Sequence, residues 1–185
     1  LLDKVETAAW LGVIQSSFTA FPYLRKQWKK NCDTEALLGV SLTGQMDNPT
    51  LLSSEALKAL KSRVIRISRK ASGLLGTKMP TATTCVKPSG TVSQLVDSAS
   101  GVHPRWSQYY IRRYRIAARD PLFTMLKEMK IPCNPENGQT KKDASTWVLE
   151  FPVKSPDGCI TRKDVTAMEQ LKHYKNLQHN WCEHN

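Results

Sequence analysis

The chain has 185 residues, 40% of them hydrophobic and 23% charged, enough for one ordinary domain with its own core. No run of about 18 apolar residues occurs, which excludes a membrane-spanning helix. A formal net charge of +11 suits an anionic partner, whether nucleotide, nucleic acid or membrane surface, and does not choose between them.

Residues 1–31 read mostly as helix, with Leu2, Val5, Ala9, Val13 and Phe18 on a mixed apolar face, until Pro22 breaks or kinks it. Segment 36–49, ALLGVSLTGQMDNP, reads as a buried strand that opens into a loop at Gly44. Residues 53–72 form an amphipathic helix. Ser53 or Ser54 caps it, Leu57, Leu60, Val64, Ile67 and Ala71 share a face, and Gly73 and Gly76 end it. The strand TATTCV at 81–86 then leads into a Pro-Ser-Gly-Thr turn. YYIRRYRIAA, 109–118, is a strand by its aromatic and β-branched content. Asp120-Pro121 starts a helix, with a cap residue followed by Pro at the first helical position. Residues 131–145 form a polar loop and 146–154 a strand. A last helix is expected over 162–181, with Thr161 and Asp164 near its start and Val165, Met168, Leu171 and Trp181 inward. This alternation predicts an α/β class with a largely parallel sheet. No repeat and no internal boundary is visible, so 1–185 reads as a single domain.

The five cysteines, Cys32, Cys85, Cys133, Cys159 and Cys182, are odd in number and lack paired spacing. That argues against a secreted disulfide framework and for a reducing, cytoplasmic setting. There is no C-x-x-C, and WCEHN offers one Cys and one His, so neither a structural zinc nor any other metal site is expected. The start, LLDKVETAAWLG, has neither a secretory leader nor an initiator Met, which points to a piece of a longer protein.

The densest chemistry is in Lys87-Pro88-Ser89-Gly90-Thr91-Val92-Ser93, at a strand-to-helix junction. A helix start presents unpaired N–H groups and the positive end of the macrodipole, which favours anions. Gly90 lets a ligand approach the backbone, the three hydroxyls add donors, and Pro88 sets the entry angle. The order is neither G-x-x-x-x-G-K-[ST] nor G-x-G-x-x-G. Two readings therefore stand open on the residues alone: a phosphate cradle, or a Ser/Thr-capped helix start.

A second constellation is GVHPRWSQYYIRRYRI, 101–116. Strand alternation puts Tyr110, Arg112 and Tyr114 on one face and Ile111, Arg113 and Arg115 on the other. Interleaved Arg and Tyr suit either a single-stranded nucleic-acid groove or a solvated basic strand. His103, in a Gly-Val-His-Pro turn, is either an acid/base group or a structural residue. Asp47, Asp97, Asp120 and Glu150 are too scattered to argue a carboxylate pair.

The stretch TTCVKPSGTVSQLVDSASGVHPRWSQYYIRRYRI resembles the catalytic subunit of adenosylcobalamin-dependent (class II) ribonucleotide reductases, in particular the monomeric ribonucleoside-triphosphate reductase type. LLGVSLTG (37–44), WVLEFPVK (147–154) and NWCEHN (180–185) agree with it in order. The resemblance implies part of the second half of a ten-stranded α/β barrel, in which Pro88, Ser89, Gly90, Thr91, Val92 and Ser93 hold the substrate phosphates. It implies replacement of the ribose 2′-OH by hydrogen, for DNA synthesis. In that family, cobalt–carbon homolysis generates a cysteine thiyl radical, the radical takes the 3′ hydrogen, and a cysteine pair supplies the electrons. The implied cofactor is adenosylcobalamin. The implied partners are a ribonucleotide substrate, a thioredoxin-like reductant and the remainder of the reductase chain, with no membrane and no nucleic acid. His103 and Arg105 are further candidates for substrate or cofactor contact. The family's Asn-x-Cys-x-Glu radical loop and C-terminal cysteine pair are absent from these 185 residues, and its allosteric site lies in other segments. No catalytic residue is therefore assigned here, and the segment alone is expected to be inactive. The competing reading is a basic nucleic-acid-binding α/β module without catalysis.

Overall fold

The computed structural model describes residues 1–184, apart from the side chains of Thr50 and Leu51. Close contacts divide the chain into two compact units, Leu1–Arg105 with Gly158–Asn185, and Trp106–Asp157. Asn185, the last residue of the NWCEHN segment, lies outside the described residues.

The first unit is built on α1 (Leu2–Ser16), whose Val5, Ala9 and Val13 recur every four residues and form its buried stripe. A turn region containing Pro22 separates it from α2 (Lys26–Glu35), which is the break expected at that proline. The expected strand in 36–49 is shorter than its apolar run: only β1 (Val40–Ser41) is paired. Leu38 and Leu42 are nevertheless buried on the same side as Val40. Short 3-10 turns at Gln45–Asp47 and Pro49–Leu52 lead into α3 (Ser54–Leu75). Ser53 caps α3 by accepting from the Ala56 N–H, and Gly76 ends it at φ 66°, the left-handed conformation glycine tolerates. Gly73 stays inside the helix.

β2 (Thr84–Cys85) lies parallel to β1, with Val40 opposite Thr84 and Ser41 opposite Cys85. The core of this unit joins Val5 and Ala9 of α1, Val40, Leu42, Leu57, Leu60, Val64, Leu177 and Trp181. The C-terminal segment latches onto β2. The Thr84 hydroxyl donates to the Trp181 carbonyl at 2.5 Å, and the Trp181 indole N–H donates to the Cys85 carbonyl at 2.8 Å. The Glu183 carboxylate accepts from the Thr83 backbone N–H at 2.6 Å and hydroxyl at 2.8 Å.

The helix expected after the Pro-Ser-Gly-Thr turn is a single turn, α4 (Val92–Leu95), and Thr91 makes no side-chain capping bond. The last helix, α6 (Ala167–Asn180), starts later than expected. Thr166 and Glu169 close a capping box there, while Thr161 and Asp164 bond to each other in the preceding turn. Met168 and Leu171 point outward, because α6 buries Leu177 and delivers Trp181 to the core.

The second unit is an antiparallel sheet of order β3 (Tyr109–Ala117), β5 (Thr146–Lys154), β4 (Cys133–Pro135). It corrects the largely parallel sheet expected for the chain. Asp120 caps α5 (Pro121–Glu128) by accepting from Leu122 N–H. Phe123 of α5 stacks on Trp147 with ring centroids 5.2 Å apart, and Leu149 completes that core. The 131–145 loop contributes β4, which the polar composition of that loop conceals.

Candidate functional site

Two loops leave the parallel pair side by side, residues 42–48 after β1 and residues 86–91 after β2. The crevice outside the carboxyl ends of parallel strands is where α/β folds place their ligands. All six residues of the suspected cradle lie in the second loop and the turn that follows it. Pro88, Gly90, Thr91 and Val92 are exposed, with Val92 at 61%, whereas Ser89 and Ser93 are buried. Nothing lies within 4 Å of where a Gly90 Cβ would stand, so the loop tip is open to an incoming group. The turn holds itself together by the Ser93 N–H donating to the Ser89 carbonyl at 2.9 Å and the Ser98 N–H to the Ser93 carbonyl at 2.9 Å.

Thr43, in the loop after β1, is a residue that sequence reading misses. Its hydroxyl lies 2.6 Å from that of Ser89, donates to the Ala99 carbonyl at 3.1 Å and accepts from the Gly101 N–H at 3.0 Å. Beneath it runs a second tie. Arg105 is 4% exposed and forks onto both oxygens of Asp47 at 2.9 and 3.1 Å. It also reaches the Asp97 carboxylate at 2.9 Å and carbonyl at 2.5 Å. The hydrogen bonds it donates to Asp47, which outweigh the cost of burial, push the guanidinium further into its charged range. Arg105 thus sits under the loops as a strut, while His103 stands exposed in its turn with its backbone N–H on the Ser100 carbonyl.

Lys87 donates its backbone N–H to the Ser41 hydroxyl at 2.8 Å, and its side chain runs across Gly39. A Cβ at Gly39 would meet Lys87 Cε at 2.5 Å and Nζ at 2.8 Å, so the glycine makes room for the ammonium. Lys87 lines a cleft of about 750 Å³ together with Leu11, Gln15, Phe18, Trp28 and Gly39. Cys85 lies behind it. Burial pushes the Cys85 thiol up, and burial with the neighbouring Cys85 does the same to Cys182, which favours the thiol over the thiolate at both. Among the described residues, no group of three or more His, Cys, Asp or Glu could hold a metal ion.

Two of the three arginines of the basic strand pair with carboxylates of the second unit. Arg113 pairs with Glu150 at 2.9 Å, Arg115 with Glu136, and Arg112 lies 5.5 Å from the Tyr114 ring centroid. Charge answered in this way suits the solvated-strand reading over a nucleic-acid groove.

No family model matches the chain. It is 30% identical over 129 residues to the adenosylcobalamin-dependent ribonucleoside-triphosphate reductase of Levilactobacillus brevis, covering 68% of this chain and 17% of that protein. It is 37% identical over 100 residues to the Euglena gracilis protein of the same name, covering 54% of this chain and 13% of that one. This chain resembles one stretch of those reductases. A crystal structure of a B12-dependent (class II) ribonucleotide reductase superposes on 97% of the chain and 29% of its own length, with a TM-score of 0.78 and 21% identity. The α/β fold described above is therefore shared with part of a class II reductase, and the reductase resemblance read from 81–116 holds across independent comparisons. The chain spans 13% and 17% of the lengths of those two curated reductases. Among the described residues, no helix is long and apolar enough to cross a membrane.

Proposed function

We propose that this chain is a piece of the catalytic polypeptide of an adenosylcobalamin-dependent ribonucleoside-triphosphate reductase, and that Pro88, Ser89, Gly90, Thr91, Val92 and Ser93 hold the substrate phosphates. The observation that carries this reading is the place of the loop. It lies at the carboxyl end of a parallel strand, open at Gly90, within a segment that aligns with reductases. α4 is only one turn long, so its dipole contributes little. The backbone N–H groups of the loop tip and the Thr91 hydroxyl are the groups that meet the phosphate oxygens, with Lys87 adding positive charge nearby. Ser93, buried within the turn, keeps its shape.

On this reading β1 and β2 are two strands of a ten-stranded α/β barrel that the remainder of the polypeptide completes. When bound, adenosylcobalamin supplies the radical chemistry that begins ribonucleotide reduction. No residue described here is assigned to the cofactor, which carries its own cobalt; His103, exposed in its turn, is kept as a candidate for contact. The cofactor, the radical-bearing and shuttle cysteines and the docking of a thioredoxin-type reductant are assigned to the rest of the reductase, working in the cytoplasm.

The test is Thr91→Val in the complete polypeptide, a change that keeps side-chain volume and removes one hydrogen bond to a charged group. Such a bond is worth roughly 1.5–3 kcal/mol, which corresponds to a substrate KM raised roughly 10- to 100-fold. An unchanged KM and kcat would overturn the assignment.

A further inference from the structure

We propose that Thr43 is the positioning residue of the phosphate loop, acting through Ser89; this rests on the reading of residues 88–93 given above. A hydroxyl has one proton and two lone pairs. The Thr43 proton goes to the Ala99 carbonyl at 3.1 Å, and one lone pair takes the Gly101 N–H at 3.0 Å. Either hydroxyl could donate in the 2.6 Å contact with Ser89, and with the Thr43 proton on Ala99 we assign that bond to the Ser89 proton. With that proton committed, Ser89 is not a donor to the phosphate. It is the anchor by which the loop after β1 holds the loop after β2, and Thr91 with the exposed backbone tip does the binding.

The surroundings fit this division of labour. Ser89 is buried and Thr91 exposed, although both lie in the same four-residue turn. Gly101 is at φ 53°, which brings its N–H onto Thr43. A Cβ on Gly101 would lie 3.6 Å from the Lys87 carbonyl and 3.8 Å from Ser89 Oγ, so the 99–101 segment packs directly against the base of the loop. Asp47, four residues after Thr43, takes both the Ala99 N–H at 2.8 Å and the Arg105 fork, which fixes the far side of the same junction. A single hydroxyl thus joins three chain segments 46 and 58 residues apart.

The experiment compares Thr43→Ser, Thr43→Val, Ser89→Ala, Thr91→Val and the Thr43→Val/Ser89→Ala double variant in the complete reductase. Ribonucleoside-triphosphate KM, kcat and melting temperature are read for each. Thr43→Ser keeps the hydroxyl and retains the parental KM. Thr43→Val and Ser89→Ala each raise KM by about five- to tenfold with kcat little changed, the loss expected for one neutral hydrogen bond. The double variant is no worse than the worse single one, because both break the same tie. Should Thr43→Val not fold, Thr43→Ser and Ser89→Ala decide the matter. A tenfold KM loss in Thr43→Ser, or a Ser89→Ala loss as large as that of Thr91→Val, overturns the proposal. A KM loss in Thr91→Val with none in Thr43→Val overturns the positioning role while sparing the phosphate loop. Parental KM in every variant overturns both.

Discussion

Replacing Arg105 by Ala should destabilise the first unit strongly, and the geometry says through which partner. Arg105 is 4% exposed, and the Asp47 side chain it grips in a two-pronged fork is 20% exposed. The Asp97 side chain on its other flank is 70% exposed, so water screens that contact. Removing the guanidinium leaves Asp47 as a poorly solvated carboxylate, and breaking a buried pair from one side costs roughly 3–5 kcal/mol. The Asp97 contact adds roughly 0–1 kcal/mol at most. Asp97→Asn should therefore be almost silent, while Asp47→Asn and Arg105→Ala should both cost several kcal/mol. Arg105→Lys keeps the charge but not the fork, and should fall between. Urea denaturation of the protein, followed by far-UV circular dichroism, measures each loss from the shift in midpoint at constant slope. Because charge is involved, 1 M salt should weaken the small Asp97 contribution and leave the Asp47 one largely intact. An Arg105→Ala loss below about 1 kcal/mol, or an Asp97→Asn loss equal to that of Asp47→Asn, would refute the reasoning.

The C-terminal latch can be tested at Trp181, which is fully buried with its indole N–H on the Cys85 carbonyl. Trp181→Phe removes that bond and leaves a void, for an expected loss of roughly 2–4 kcal/mol by urea midpoint, and a loss under about 0.5 kcal/mol would contradict the latch. His173 gives a pH signature. Burial holds its imidazole below the ordinary value near 6.5, with Nε2 2.9 Å from the Gln45 side-chain Oε1. The unfolded chain therefore binds a proton that the folded chain refuses, so stability falls as pH drops below about 6.5, by up to about 1.4 kcal/mol per unit, until the folded value is reached. His173→Gln should flatten urea midpoints between pH 7 and 5, and an identical slope in both proteins would exclude this cause.

Local signals carried much of the fold. Aromatic and β-branched content placed β3 almost to the residue, and the strand expected over 146–154 is β5 itself, because strand preference rests largely on the residue types within the segment. Ser53 and Asp120-Pro121 marked two helix starts, because caps act within three residues. The long 81–116 segment also carried the family resemblance, since its pattern of residue types is continuous. Other features had no local cause. β4 is three residues of a polar loop that become a strand only because β5 offers its edge. Met168 and Leu171 have the right spacing to face a core, yet they lie outside because Leu177 and Trp181 occupy it. Thr43 carries no signal at all among ordinary loop residues, and its contacts span 46 to 58 residues of chain. The residues in and around 88–93 offer donors and positive charge that suit an anionic ligand, and on their own they leave a phosphate cradle and a capped turn both open. Only the packing of distant segments decides which of those donors face it and which are consumed in holding the loop, because a hydroxyl has one proton to give and the fold chooses its acceptor.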